Sequence, residues 1–306
     1  MTAILAVDGG QSGIRVRHSN SELLVEVGGV VRSTDTVASV ARAIEEAVVT
    51  GSFPPVDRVV LGLTTSPTDS RAADRLCGLA AAATGAGEVW LADDSVTGHC
   101  GALSGEPGLS LVVGTGVACL AVPVSGRPRA IDGHGYLVGD EGGAFWIGRR
   151  ALRSALRSHD RRETGPLTEL VQARFGPLDG LHARLPESES PINAIAQFAK
   201  DILDASSSNP VAAQIADEAA ARLHSTVHDA LSIIPDGVVP LALGGRLLEK
   251  GSALRERLDA LLAGEPRLAP RSADGTPLDG ALRLGAFDSP GRYRELIHVW
   301  KEKDAA

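Results

Sequence analysis

Three segments of the chain place glycines at the end of an apolar run, and two of them add a carboxylate or a hydroxyl. Asp8-Gly9-Gly10-Gln11-Ser12-Gly13 follows Ala3–Val7, Gly114-Thr115-Gly116 follows Leu111–Val113, and Gly244-Gly245 follows Val238–Leu243. Such turns let backbone N–H groups and a small hydroxyl approach a phosphate closely. Asp8 repels phosphate directly, so its chemical use there is to hold a nucleotide-bound Mg²⁺, through water. An Asp-Gly hairpin turn accounts for the first segment equally well when it is taken alone. Three such turns in one chain point to an ATP-binding protein.

Two further segments carry carboxylates. Gly133–Gly143 surrounds the adjacent Asp140 and Glu141 with five glycines, immediately before the helix-like Ala144-Phe145-Trp146-Ile147. So much glycine costs conformational entropy, which makes sense if the loop lines a small polar ligand such as a sugar. The alternative is an acidic cap on the following helix, with Glu141 the structural member. His134 reads as a packing residue. Asp93-Asp94 ends a strand pattern, where α/β proteins place catalytic side chains. Asp93 fits a helix cap, and Asp94 is the candidate base that takes a proton from an attacking hydroxyl.

The elements that must position these residues alternate strand and helix, which implies sheets with helices on their faces and an α/β class. Ile4–Val7 and Ile14–Arg17 predict a hairpin, with Leu23–Val27 as a third strand. Ser33-Thr34-Asp35 caps a helix through Val37, Val40, Ala41, Ile44 and Val48, which Gly51 stops. Arg58–Thr64 and Val89–Ala92 read as strands, and Asp69–Thr84 as an Ala-rich helix. Leu111–Val113 and Ala118–Val124 repeat the strand–turn–strand logic of the opening. A helical stretch spans 144–231, least structured at Pro186–Pro191. Helical spacing at Leu254, Leu258, Leu261 and Leu262 follows the Val238–Leu243 strand, and Arg292–Lys301 is expected to close the chain as a helix. The repetition suggests a duplicated domain, with boundaries at 1–110 and 111–306 and the last helix packing back on the N-terminal domain.

Composition excludes several classes. With 306 residues, 43% of them hydrophobic, the chain can bury two cores. A net charge of −8 without a basic, aromatic-interleaved stripe argues against nucleic-acid binding. No apolar stretch approaches a membrane span, and the short Ala3–Val7 run is no signal peptide, so a cytoplasmic protein is expected. Cys77, Cys100 and Cys119 are scattered without a CxxC pair, which suggests neither a disulfide framework nor a zinc site.

Together these residues resemble the N-acetylglucosamine kinase family and the wider BadF/BadG-type ATPases, within the actin-like sugar-kinase superfamily. The resemblance covers nearly the whole chain. Asp8-Gly9-Gly10 looks like the first phosphate motif, Gly114-Thr115-Gly116 the second and Gly244-Gly245 the adenosine motif. Gly133–Gly143 resembles the glycine-rich GWGxxxGDEGS loop, and Pro277–Leu284 the closing helix with its Gly-Ala pair. The resemblance implies two actin-like, ribonuclease H-like domains around a central nucleotide cleft, with ATP and Mg²⁺ as cofactors. It makes Asp94 the catalytic base, Asp140 a sugar contact beside Gly139 and Thr115, and a homodimer the expected state. The family's loop Trp is His134 here, and the Asn before its base is Asp93. Its sugar-binding Asn has no counterpart in Gly28-Gly29-Val30-Val31-Arg32-Ser33. The implied activity is phosphorylation of an amino sugar, N-acetylglucosamine or glucosamine, at the C6 hydroxyl. An activator ATPase built around an iron–sulfur cluster and a catalytically silent sugar sensor are the alternatives.

Overall fold

The computed structural model describes residues 2–9, 13–28, 35–64, 66–67 and 69–302. Gly10, Gln11 and Ser12 of the first turn, and residues 29–33 of the segment without the sugar-binding Asn, lie outside these.

The chain begins with strands β1 (Ile4–Gly9), β2 (Gly13–His18) and β3 (Leu24–Gly28), joined in an antiparallel meander. Helix α1 (Thr36–Gly51) follows, capped by the Asp35 side chain, which accepts a hydrogen bond from the Ala38 N–H at 2.9 Å. Strand β4 (Arg58–Leu63) runs parallel to β1, and after α2 (Ser70–Thr84) strand β5 (Glu88–Asp93) runs parallel to β4. Helix α3 (Asp94–Ala102) starts directly on β5, and the Asp93 carboxylate caps it through the Ser95 N–H at 3.0 Å, as its sequence position predicts. Next come β6 (Gly108–Val113), β7 (Val117–Val122) and β8 (Arg129–Ile131). The helical stretch resolves into α4 (Ala144–Asp160), α5 (Pro166–Phe175), α6 (Leu181–Arg184), α7 (Pro191–Ala205) and α8 (Pro210–Ser232). Proline starts α5, α7 and α8, where its missing N–H costs no helical bond. The chain then forms β9 (Val239–Gly244), α9 (Ala253–Leu262), β10 (Leu268–Arg271), α10 (Pro277–Gly285) and β11 (Ile297–Lys301).

Two sheets result, in the orders β11-β5-β4-β1-β2-β3 and β10-β9-β6-β7-β8. The residues divide into two compact bodies. The first comprises 1–110, 120–129 and 271–306, and the second comprises 111–119 and 130–270. The closing segment, bounded with the second domain by sequence but expected to pack back on the N-terminal one, groups with the first body.

In the first body the strands are buried on both faces. Leu5, Val7, Val59, Leu61, Val89 and Leu91 point into one core with residues of α1 and α2. Their alternates Ile4, Ala6, Val60, Trp90 and Ala92 point into a second core with residues of α3 and α10. Helices α3 and α10 cross at backbone distance, because a Cβ on Gly101 would strike the Thr276 carbonyl and one on Gly280 the backbone of Thr97 and Gly101.

The closing Arg292–Lys301 helix does not form. Gly291–Leu296 is a 3-10 turn, and Ile297–Lys301 pairs antiparallel with β5, from Ile297 opposite Ala92 to Lys301 opposite Glu88. The segment has a strand's alternation: Ile297 joins the core of α3 and α10, and Trp300 packs on the opposite one. Among the described residues, no helix is long and apolar enough to cross a membrane.

Candidate active site

Each body carries one group of the expected residues. In the first, β1, β4 and β5 are parallel and level, with Asp8 beside Gly62, Gly9 beside Leu63, and Leu63 beside Asp93. The register brings Asp8, Thr64 and Asp94 to the carboxyl ends of three adjacent strands, the edge where open α/β sheets bind ligands. Asp8 is buried, and Arg15, opposite it across the β1–β2 pair, places a guanidinium nitrogen 3.2 Å from its carboxylate. Burial pushes the Asp8 carboxyl above its usual range, and the Arg15 charge opposes that rise.

Asp94 opens α3 and is partly buried. The Thr64 hydroxyl donates to its Oδ2 at 2.6 Å, while the Thr64 N–H donates to the Gly9 carbonyl at 3.0 Å. Thr64 thereby ties the Asp8 turn to the Asp94 carboxylate. Burial is the main cause that lifts the Asp94 carboxyl to about 7, with the negative charges of Asp93 and Asp8 adding to it and the Thr64 bond opposing. A carboxyl poised there changes protonation state near neutral pH, as a general base requires. Sequence reasoning missed Thr64 and Arg15. Thr64 was visible only as the last residue of a strand pattern, and the parallel register gives it meaning.

In the second body, Gly114-Thr115-Gly116 links β6 to β7, and the Gly133–Gly143 loop folds onto it. The Gly114 and Thr115 carbonyls accept the first N–H groups of α4, from Ala144 at 2.9 Å and Phe145 at 3.0 Å. Asp140 adopts a left-handed conformation (φ 57°), and its carboxylate accepts hydrogen bonds from the backbone N–H groups of Gly135 and Val117. Its own N–H donates to Asp132 Oδ1 at 2.8 Å. Burial raises the Asp140 carboxyl, and the two N–H donors pull it back. Gly116 cannot be replaced quietly, since a Cβ there would strike Asp140 Oδ2. Gly139 sits against Asp132 and His134 in the same loop. Gly245, at φ 90°, backs onto Val113, where a side chain would meet the strand's carbonyl. Gly114-Thr115-Gly116 and Gly244-Gly245 are thus neighbours at the ends of β6 and β9.

Two expectations fail in this loop. Neither acidic residue caps α4: its N-cap is Gly143 without a side-chain bond, and Glu141 instead pairs with Arg222 on α8 at 3.3 Å. The tight fold of the loop onto Thr115 and Gly116 leaves the cap position to glycine. His134 is exposed rather than packed, and with Asp132, Gly139, Glu141 and Arg222 it lines a pocket of about 370 Å³.

The chain shares this architecture with known proteins. It is 27% identical to a candidate N-acetylglucosamine kinase of Chromobacterium violaceum, over 93% of this chain and 99% of that one, with a TM-score of 0.72. A ROK family glucokinase of Streptomyces griseus, solved with glucose and AMPPNP, shares the fold at 16% identity and a TM-score of 0.60, over 92% and 98% of the two chains. An N-acetylmuramic acid/N-acetylglucosamine kinase of Clostridium acetobutylicum is 32% identical over 76 residues, a quarter of either chain. The fold is therefore that of the actin-like sugar kinases. The sequence profile of the BadF/BadG/BcrA/BcrD ATPases matches residues 7–266, and the chain belongs to that ATPase family.

Proposed function

We propose that the protein is an ATP-dependent kinase that phosphorylates an amino sugar, N-acetylglucosamine or glucosamine, at its C6 hydroxyl. The observation that carries the reading is Asp94: a carboxyl poised near neutrality, held by Thr64 at the end of β5 and level with the Asp8 turn. Asp94 accepts the proton of the sugar hydroxyl as that oxygen attacks the γ-phosphate, and Thr64 fixes the carboxylate's orientation. In this reading, carried by the resemblance, Gly9, Gly10, Gln11, Ser12 and Gly13 serve as one phosphate-binding turn, Gly114, Thr115 and Gly116 as another, and Gly244 and Gly245 serve the adenosine.

Among the described residues, no cluster of three or more His, Cys, Asp or Glu closes on a metal position. A lone buried Asp8 nevertheless fits Mg²⁺, which takes one or two carboxylates together with substrate phosphates and keeps several waters. Asp8 would hold such an ion, which would supply positive charge against the phosphate charge that builds up during transfer. Arg15, half exposed beside Asp8, adds a positive charge to the same turn.

Asp140 and Gly139 hold the sugar from the glycine loop in this reading. The relatives' acetylated amino sugars support that substrate class, whereas glucosamine stays open because residues 29–33 lack the family's Asn. The activator-ATPase alternative needs cysteines at an iron–sulfur cluster. Cys77, Cys100 and Cys119 are buried in a helix, a helix and a strand, and burial raises their thiols to about 12, 11 and 12. The deciding experiment is ADP release with glucosamine, N-acetylglucosamine, N-acetylmannosamine, glucose and no sugar. Turnover that rises with one amino sugar supports the kinase, and a flat response across the panel sinks it in favour of the ATPase or the sensor.

A further inference from the structure

Helix α3 reads Asp94-Ser95-Val96-Thr97-Gly98-His99-Cys100-Gly101-Ala102, and every residue after Asp94 is buried. Glycines bring its neighbours close, since a Cβ on Gly62 of β4 or on Gly280 of α10 would strike Thr97. A helix of such small residues has few bulky side chains to fix where it stops along its axis or how it is turned. Val96 packs into the core, and Thr97 bonds back to the Asp94 carbonyl at 3.1 Å, inside the helix. His99 is wholly buried and reaches out of the helix in two directions. Its Nδ1 lies 2.8 Å from the Tyr293 hydroxyl, in the 3-10 turn before β11, and its Nε2 lies 3.2 Å from the Gly108 carbonyl at the start of β6. A carbonyl only accepts, so the imidazole proton sits on Nε2 and the Tyr293 hydroxyl donates to Nδ1. The Cys100 thiol meets the same hydroxyl.

We infer that His99 is a positioning residue for the proposed phosphoryl transfer: by gripping Tyr293 and Gly108 it fixes α3 along its axis and so seats Asp94 against Thr64. The inference rests on the reading of Asp94 as the base. Beyond Asp94 itself, the described hydrogen bonds from α3 side chains to other elements are those of His99 and Cys100. His99 and Asp94 lie five residues apart on one stiff helix, about 7.5 Å, so a displacement at one is carried to the other. The Thr64 hydroxyl meets Asp94 at 2.6 Å, and a shift of about 1 Å would open that contact beyond a hydrogen bond. Burial lowers the His99 imidazole to about 4. The ring therefore stays neutral, with one donor and one acceptor, at the pH where Asp94 changes protonation.

The test titrates the Asp94 carboxyl by NMR in full-length protein labelled with ¹³C at the aspartate carboxyls, the resonance being assigned by its loss in D94N. Kinetics on the sugar panel are measured alongside. H99F removes both bonds, Y293F removes one hydroxyl, and H99Q keeps a donor and an acceptor on a neutral side chain. With α3 free to shift, water reaches Asp94, and its carboxyl moves down from about 7. The Asp93 and Asp8 charges that face it are unchanged, so the move reports its burial. In H99F kcat is expected to fall roughly 10- to 100-fold with the ATP KM little changed, and the rising limb of the pH profile moves to lower pH. Y293F shows the same changes in smaller degree, and H99Q recovers most of the kcat. A lower Tm with parental kcat and an unmoved Asp94 titration marks a merely structural bond and overturns the inference. If H99F does not fold, Y293F decides alone, and an unmoved Asp94 titration in it has the same force. A parent protein that releases no ADP with any sugar removes the kinase reading, while the Asp94 titration still decides whether His99 seats that carboxyl.

Discussion

The carboxylates of the two bodies are held in opposite ways. Asp8 and Asp94 meet side chains, Arg15 and Thr64, and neither receives a backbone N–H among the described hydrogen bonds. Asp140 is held mainly by backbone, accepting from Gly135 and Val117, and its chain trace is fixed again through Asp132. A carboxylate partnered by movable side chains can exchange them for a metal or a proton at little structural cost. One that accepts backbone N–H groups shapes the loop first and meets a ligand second. On the proposed reading, the first body supplies the reactive groups, and the second a preformed seat whose shape is the functional quantity.

The sharpest way to break this contrast is Asp94→Asn. The amide keeps the geometry and the Thr64 bond but cannot take a proton, so kcat falls by about 10³-fold, while binding of ATP, read by calorimetry, stays at the parent level. Near-parental turnover would remove Asp94 from the chemistry. Next is Gly116→Ala, whose methyl displaces the Asp140 carboxylate. It is expected to cost about 1–3 kcal/mol in denaturant unfolding and to raise the sugar KM more than it lowers kcat, because the seat moves and the base does not.

The pH dependence follows from Asp94. The base works deprotonated, so kcat/KM climbs about tenfold per pH unit up to about 7 and levels above it. For stability the sign is the reverse. A carboxyl raised by folding contributes stability below its unfolded value of roughly 4 and loses it as pH rises through about 7. Asp94→Asn should thus match the parent's Tm near pH 4 and exceed it by a few degrees, roughly, at pH 8. The smallest effect belongs to Glu141→Gln, which removes a half-exposed ion pair with Arg222 and should change stability by less than about 0.5 kcal/mol.

Much of this site was legible in the sequence because its residues fall at strand ends marked by glycine. Asp8 and Asp94 follow apolar runs, and Asp93 sits where a cap belongs, so local pattern was enough. Thr64 and Arg15 were not legible, since their roles come from lateral register, which a single chain's pattern does not encode. The acidic cap on α4 failed because Asp140 and Glu141 found stronger partners in the loop and on α8. Ile297–Lys301 was misread for a physical reason: five residues with mixed burial carry a weak period, and the free edge of β5 decides their conformation.

That edge has a consequence for how the protein is made. In the first body the sheet begins with residue 4 and ends, beyond β5, with residue 301. Helix α10, which fills the core beneath it, also comes from the last thirty residues or so. On the ribosome the N-terminal strands therefore wait with one edge and one face unpaired while the contiguous 130–270 stretch emerges and folds. The strands that carry Asp8 and Asp94 are thus made before the 130–270 stretch and completed after it.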